Sequence, residues 1–189
     1  MKPTRFSLFL LVLSLSTPAF AQHAHEASAE PASPDAKAFE QLKTLAGSWT
    51  GQLTTTPVVP PVSGSFVQFS LRVTSRGNAL VHEMSVSGLP DHPLTMFYLD
   101  GGRMTLTHYC DAGNRPRMVG KLSPDGKTLE FDFLDLSGGN ERGHMHHAVF
   151  TFVDENHHTE DWTYMTPGDV PMRAHFDLQR TNFEGAGTR

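Results

Sequence analysis

The sequence predicts an all-β protein, built as a single antiparallel up-and-down β-barrel of about ten strands with a short N-terminal helix. Three observations support this fold class. Ten candidate strand segments follow residue 47, and apolar and polar residues alternate with a period of two in some of them. Short turn sequences such as Arg76-Gly77-Asn78 separate the segments, and short turns join antiparallel neighbours. No helical periodicity returns once the first strand has begun.

The first 21 residues are predicted to be an export signal. Lys2 and Arg5 supply the positive start, residues 6–15 form a short apolar segment, and Ala19-Phe20-Ala21 has the small residues of a cleavage site. The apolar segment is shorter than the roughly 20 residues that a membrane-spanning helix needs. Gln22, not cysteine, would follow cleavage, so we expect a periplasmic or secreted protein with neither a membrane span nor a lipid anchor.

The rest of the chain is predicted to be one domain with flexible ends. Residues 22–34 are a leader too polar to bury a core, 35–182 form the barrel domain, and 183–189 form a disordered tail. A helix is predicted over 34–45 because three apolar residues fall on one of its faces and capping residues precede it. Those residues are Phe39, Leu42 and Leu45, with Ser33 or Asp35 as the cap and Gly47 as the stop.

The strands follow in regular order. Residues 65–74 show the pattern clearly, because Val67, Phe69 and Leu71 alternate with polar neighbours. Ten strands linked by hairpins can close into a barrel, which removes the exposed edges of an open sheet. The predicted strands are 48–56, 65–74, 79–87, 94–100, 104–110, 115–122, 128–134, 144–153, 159–165 and 172–180.

The composition argues against two classes of partner. The formal net charge is -5, and the acidic balance does not favour nucleic acid or an anionic membrane surface. Cys110 is the one cysteine, so no internal disulfide forms. The sequence has no nucleophile elbow, phosphate-binding glycine loop or C-x-x-C pair, and an enzyme is therefore not favoured. The oligomeric state is not indicated.

Three residues are predicted to close the barrel. Gly47 and Trp49 begin the first strand, and Arg180 ends the last strand. These two strands are neighbours in a closed barrel, so the guanidinium can lie across the indole ring as a cation–π pair.

With these residues the chain resembles the calycin superfamily, which includes lipocalins, fatty-acid-binding proteins and nitrobindin-like barrels. The resemblance covers about residues 39–181. Residues 39–51 and 94–118 also resemble a group of uncharacterised exported bacterial proteins with lipocalin-like barrels. The resemblance implies a cavity that binds a small ligand.

We expect that ligand to be largely apolar, with an acidic group as an option. His108 and Cys110 share a strand face that should point inward, and Arg117 at the barrel mouth is suited to bind a carboxylate. The alternatives are a packed thiol and imidazole in a plain core, and a solvated arginine on the rim. The predicted ligand-binding residues are Tyr98, His108, Cys110, Arg117, His146 and Trp162.

The alternative function is a metal- or haem-binding barrel, with enzymatic activity as an option. His144 and His146 fall on one strand face and could offer two imidazoles to a transition metal together with His108. His175 alternates with apolar residues and is expected to point outward. Nitrobindin-like barrels bind haem through a histidine, so the resemblance makes His175 the haem candidate if it points inward instead.

Overall fold

The computed structural model describes residues 32–181. The predicted export signal and tail, and nearly all of the predicted leader, lie outside this range. The described chain contains one α-helix, α1 (Pro34–Lys43), followed by ten strands, with a 3-10 turn at Ser75–Gly77 between the second and third strands. The strands are β1 (Gly47–Thr56), β2 (Phe66–Thr74), β3 (Ala79–Val86), β4 (Leu94–Asp100), β5 (Arg103–Tyr109), β6 (Arg115–Leu122), β7 (Thr128–Ser137), β8 (His144–Asp154), β9 (His157–Met165) and β10 (Pro171–Arg180).

The ten strands form a closed antiparallel barrel, which confirms the predicted fold class. Each strand pairs with the next one along the chain, and β1 pairs with β10 to close the ring. β7 continues to Ser137, three residues beyond its predicted end. The pairing of β7 with β6 shifts register between Arg117 and Met118. This shift lets β7 stay paired beyond residue 134, where its apolar–polar alternation stops.

Helix α1 covers the end of the barrel at which β1 begins. The Ser33 hydroxyl caps the helix by accepting a hydrogen bond from the amide of Ala36, 3.1 Å away. Phe39 and Leu42 are buried, and Asp35 accepts a hydrogen bond from the amide of Met104 at the start of β5. The helix ends at Lys43, two residues earlier than predicted. None of the helices described in residues 32–181 is long and apolar enough to cross a bilayer.

Aromatic side chains fill the middle of the barrel. Phe97, Phe131 and Phe150 are fully buried, and their ring centroids lie 5.4–5.9 Å apart in tilted and edge-to-face pairs. These rings therefore form a packed layer in the described barrel.

The closing pair of strands is held by the predicted arginine and tryptophan. The Arg180 guanidinium lies 4.1 Å from the centroid of the Trp49 ring, and its nitrogens donate to the carbonyl oxygens of Ala46, Thr44 and Glu155. Gly47 makes this approach possible, since a Cβ there would lie 2.5 Å from Arg180 Nη1 and its φ of +143° also favours glycine.

Replacing Arg180 with alanine should lower the free energy of unfolding by about 1–3 kcal/mol. The variant loses the cation–π contact and leaves three carbonyl groups without their charged donor. Chemical denaturation measures the change. Arg72→Ala, which removes an exposed arginine from β2, is the matched control and should change stability little. Equal losses in the two variants would contradict the role given to Arg180.

Candidate functional site

An apolar cavity of about 210 Å³ lies at the end of the barrel opposite α1. Most of its wall is aliphatic or aromatic, with side chains from β1, β3, β8, β9 and β10. Leu89, Asp91 and Pro93 from the β3–β4 connection lie at its mouth, as does Val62 from the β1–β2 connection. Three polar side chains face it from deeper inside the barrel, namely His82, Thr95 and His108.

Below the cavity, the carboxylate of Glu160 is fully buried. His82 Nε2 lies 3.1 and 3.2 Å from its two oxygens, His158 Nε2 lies 3.1 Å from one of them, and Trp162 Nε1 donates to the other at 2.9 Å. Alternation along β9 places His158, Glu160 and Trp162 on one inward face, and His82 comes from β3. Both oxygens of the Glu160 carboxylate therefore accept hydrogen bonds.

The surroundings of Glu160 keep it ionised. Burial alone would raise the pKa of the carboxyl group, because a low-dielectric interior disfavours the charged form. The attraction of His82 and the hydrogen bonds from His158 and His82 outweigh burial and lower the pKa to about 2. Two of its partners, His82 and Trp162, also line the cavity, so the carboxylate lies directly behind the cavity wall.

His108 contributes the other imidazole of the cavity wall. Its Nδ1 lies 2.8 Å from the hydroxyl oxygen of Thr95, and its ring centroid lies 5.4 Å from that of Trp162. Nε2 is buried and has no hydrogen-bond partner among residues 32–181. Burial, and secondarily the charge of His82, lower the pKa of His108 to about 3. The imidazole is therefore neutral near pH 7.

Of the six predicted ligand-binding residues, the structure brings together His108 and Trp162 on the cavity wall. Cys110 lies just beyond the end of β5, is half-buried and is not part of that wall. Burial raises the pKa of its thiol, more than the backbone hydrogen bond at Ala112 lowers it. His108 and Cys110, which were expected to share an inward face, therefore do not both line the cavity, because β5 ends before Cys110.

Tyr98 and Arg117 lie outside the cavity. The Tyr98 hydroxyl is 2.8 Å from that of Thr107, on the face of β4 opposite the buried Phe97. Arg117 donates to both carboxylate oxygens of Asp135 and is therefore already engaged in a bidentate pair. Alternation along β6 places the neighbouring Met118 in the core, so Arg117 does not serve as the inward clamp that was expected.

The three histidines predicted to bind a metal, His108, His144 and His146, do not come together as one ligand group in the described part of the chain. His144 Nε2 lies 3.0 Å from His146 Nδ1, and His146 stacks on Phe133. Met145 lines the cavity instead of these two histidines, and β8 shifts register between Met145 and His147. In residues 32–181, the one group of three potential ligands with metal-site spacing is Glu130, Asp132 and His147, of which both carboxylates are exposed.

Haem does not fit the arrangement of these residues. Pockets for drug-sized molecules occupy about 300–1,000 Å³, and haem is larger than such molecules, whereas this cavity holds about 210 Å³. His175, the conditional haem candidate, points outward as expected, and its Nδ1 lies 2.7 Å from a carboxylate oxygen of Asp161.

The six predicted ligand-binding residues do not include Glu160, His82 or Thr95. Glu160 was detectable, because an acidic residue alternates with His158 and Trp162 on an inward strand face and must then find a buried partner. The sequence leaves that partner open between Arg117 and an inward histidine, because His82 lies 78 residues earlier in the chain.

The low pKa of His108 predicts a specific pH dependence. Below pH 6.5 the unfolded state binds a proton at this imidazole that the folded state does not bind until about pH 3, so stability falls as the pH falls. The slope contributed is about 1.4 kcal/mol per pH unit. His108→Leu should remove this contribution, most clearly between pH 6.5 and pH 4.5, above the range in which Glu160 titrates.

The measurement is the free energy of unfolding by denaturant across that pH range. His92→Gln, which removes an exposed histidine from the β3–β4 connection, is the control. An unchanged slope in His108→Leu would show that this imidazole is not kept neutral by the fold.

Comparison with known proteins supports the fold alone. No protein-family model and no curated protein sequence matches this chain. The crystal structure of Rv2717c from M. tuberculosis matches with a TM-score of 0.59 and 13% identity, over 77% of this chain and 98% of that chain. A Nostoc punctiforme protein of unknown function from the DUF3598 family matches with a TM-score of 0.52 and 12% identity. That match covers 74% of this chain and 49% of the other. The fold of this chain is a closed ten-strand antiparallel barrel, similar in fold to these two solved structures.

Proposed function

We propose that this protein is an exported β-barrel of the calycin superfamily that binds a small, mostly apolar molecule in its cavity. The observation that carries the proposal is the cavity itself, whose wall is almost entirely apolar and which lies at the end of the barrel that α1 leaves uncovered. Concave apolar sites with a few convergent polar groups are the usual form of small-molecule sites. Placement in the superfamily is supported by Arg180 lying over Trp49 where the barrel closes.

The size of the cavity limits the ligand. A dry apolar cavity of about 150 Å³ is enough to bind benzene, and this one measures about 210 Å³. A molecule built on one or two rings, or a short branched chain, matches this space. Long-chain lipids do not, so the ligand class is narrower than that of a typical lipid carrier.

Export is supported by the positive and apolar segments and the small residues before Gln22. Protein recovered from the periplasm of an expressing bacterium should therefore begin at Gln22 when its intact mass is measured. Ala21→Leu should slow the cleavage, because the signal peptidase requires a small residue at that position. A periplasmic protein that retains residues 1–21 would contradict this part of the proposal.

Toluene is a suitable first probe of the cavity. It should raise the thermal unfolding temperature in a concentration-dependent manner, because a ligand that binds only the folded state stabilises it. Ala174→Phe places a ring in the cavity wall and should weaken toluene binding by about tenfold or more, equivalent to about 1.4 kcal/mol. Isothermal titration calorimetry measures the affinity.

Thr163→Phe is the matched control, because it adds the same ring to the face of β9 opposite Trp162. It should leave toluene binding unchanged. Absence of toluene binding to the unsubstituted protein, or equal binding by Ala174→Phe, would overturn the proposed function.

A further inference from the structure

His108, a residue of the cavity wall, has a buried ring nitrogen that the described part of the protein leaves without a hydrogen-bond partner. His108 is 3% exposed and lines the cavity, and its Nε2 has no hydrogen-bond partner among residues 32–181. A buried polar group without a partner costs about 1–3 kcal/mol, so such groups in proteins call for an explanation. A bound molecule that pairs with Nε2 provides one.

The hydrogen bond to Thr95 determines which role Nε2 plays. The Thr95 hydroxyl makes its one side-chain hydrogen bond in the described chain with His108 Nδ1, at 2.8 Å. If the hydroxyl donates its hydrogen to Nδ1, both groups are satisfied and the proton of the neutral ring resides on Nε2. If Nδ1 donated instead, the Thr95 hydrogen would be buried without an acceptor. The first arrangement leaves the Nε2–H of this wall residue as a donor without an acceptor.

The charges around the cavity restrict the ligand further. Neither lysine nor arginine is among the side chains that the described residues contribute to the wall, and Asp91 lies at the mouth. Arg117, the expected partner for an acidic group, is paired with Asp135 on the outside. The buried carboxylate of Glu160 already has three donors. An anionic ligand would therefore lose its hydration near a buried carboxylate, and His82, the nearest candidate counter-charge, is already paired with Glu160.

We propose that the cavity selects neutral, ring-sized molecules with one hydrogen-bond acceptor oxygen, such as an aromatic ketone or aldehyde, and that His108 Nε2 donates to that oxygen. This inference rests on the proposed function, because it requires that the cavity binds a small molecule. Trp162 packs beside His108 and offers an aromatic surface to the ring of the ligand. His108 is thus the specificity-determining residue of the site.

Three probes of nearly equal shape test the proposal. Acetophenone has a neutral acceptor oxygen, cumene replaces the carbonyl group with an apolar one, and benzoate carries a negative charge. Their affinities are measured by calorimetry for the unsubstituted protein and for His108→Leu, which has no donor. The ratio of the acetophenone affinity to the cumene affinity should fall by about three- to tenfold in His108→Leu, which is the effect expected of one hydrogen bond. Benzoate should bind more weakly than either neutral probe.

Met84→Leu is the matched control, because it changes an apolar residue of the same wall and should leave the ratio unchanged. Nitrogen NMR of the unsubstituted protein gives a second readout that does not depend on the folding of a variant. The Nε2 resonance of His108 should carry a proton and should shift with acetophenone more than with cumene.

The outcomes separate the two proposals. If cumene and acetophenone both bind but the ratio is the same in His108→Leu, or the Nε2 resonance does not respond to acetophenone, the inference is wrong and the proposed function stands. Tighter binding of benzoate than of acetophenone would also overturn it. If toluene binds but neither neutral probe does, the inference alone is wrong; if toluene does not bind either, the proposed function fails and the inference fails with it.

Discussion

The ionised carboxylate of Glu160 is the constraint on which the interior of this barrel depends. A charge removed from water costs several kcal/mol unless it is paired and hydrogen-bonded, and this one has no exposed surface. Its donors come from β3 and β9, which lie on different sides of the closed sheet. The barrel must therefore hold His82, His158 and Trp162 within hydrogen-bond distance of the Glu160 carboxylate. This requirement fixes the position of β3 relative to β9.

This buried cluster also joins the two ends of the molecule. At the covered end, Arg180 lies on Trp49, and the Trp49 ring meets His158 edge-to-face at 4.2 Å. His158 contacts Glu160, which reaches the cavity through His82 and Trp162. The residues that close the barrel and those that line the cavity thus form one contiguous packed series. Polar side chains contact the cavity from inside the barrel, and apolar side chains form the rest of its wall.

The sequence predicts the strands well and the site only partly, for different physical reasons. The bounds of β4 and β6 match the prediction, because period-two alternation and turn residues are local signals. Tyr98 is predicted to line the cavity but lies on the face of β4 opposite the buried Phe97. Arg117 and Met145 lie beside register shifts in the sheet, and no local sequence pattern predicts these shifts. The partners of Glu160 and His108 depend on which strands meet in space, and Thr95 carries no chemical signal until it is beside an imidazole.

The pairing of β1 with β10 has a consequence for how the chain reaches this structure. Arg180 donates to carbonyl groups 134 and 136 residues earlier, so the ring closes through contacts between the most distant parts of the domain. Folds dominated by such non-local contacts form slowly. Until the last strand docks, β1 and β9 present unpaired backbone groups, which are templates for association with other chains. A chain shortened before Pro171 would keep both edges open permanently, and the loss of this one strand would change a self-contained barrel into an aggregation-prone sheet.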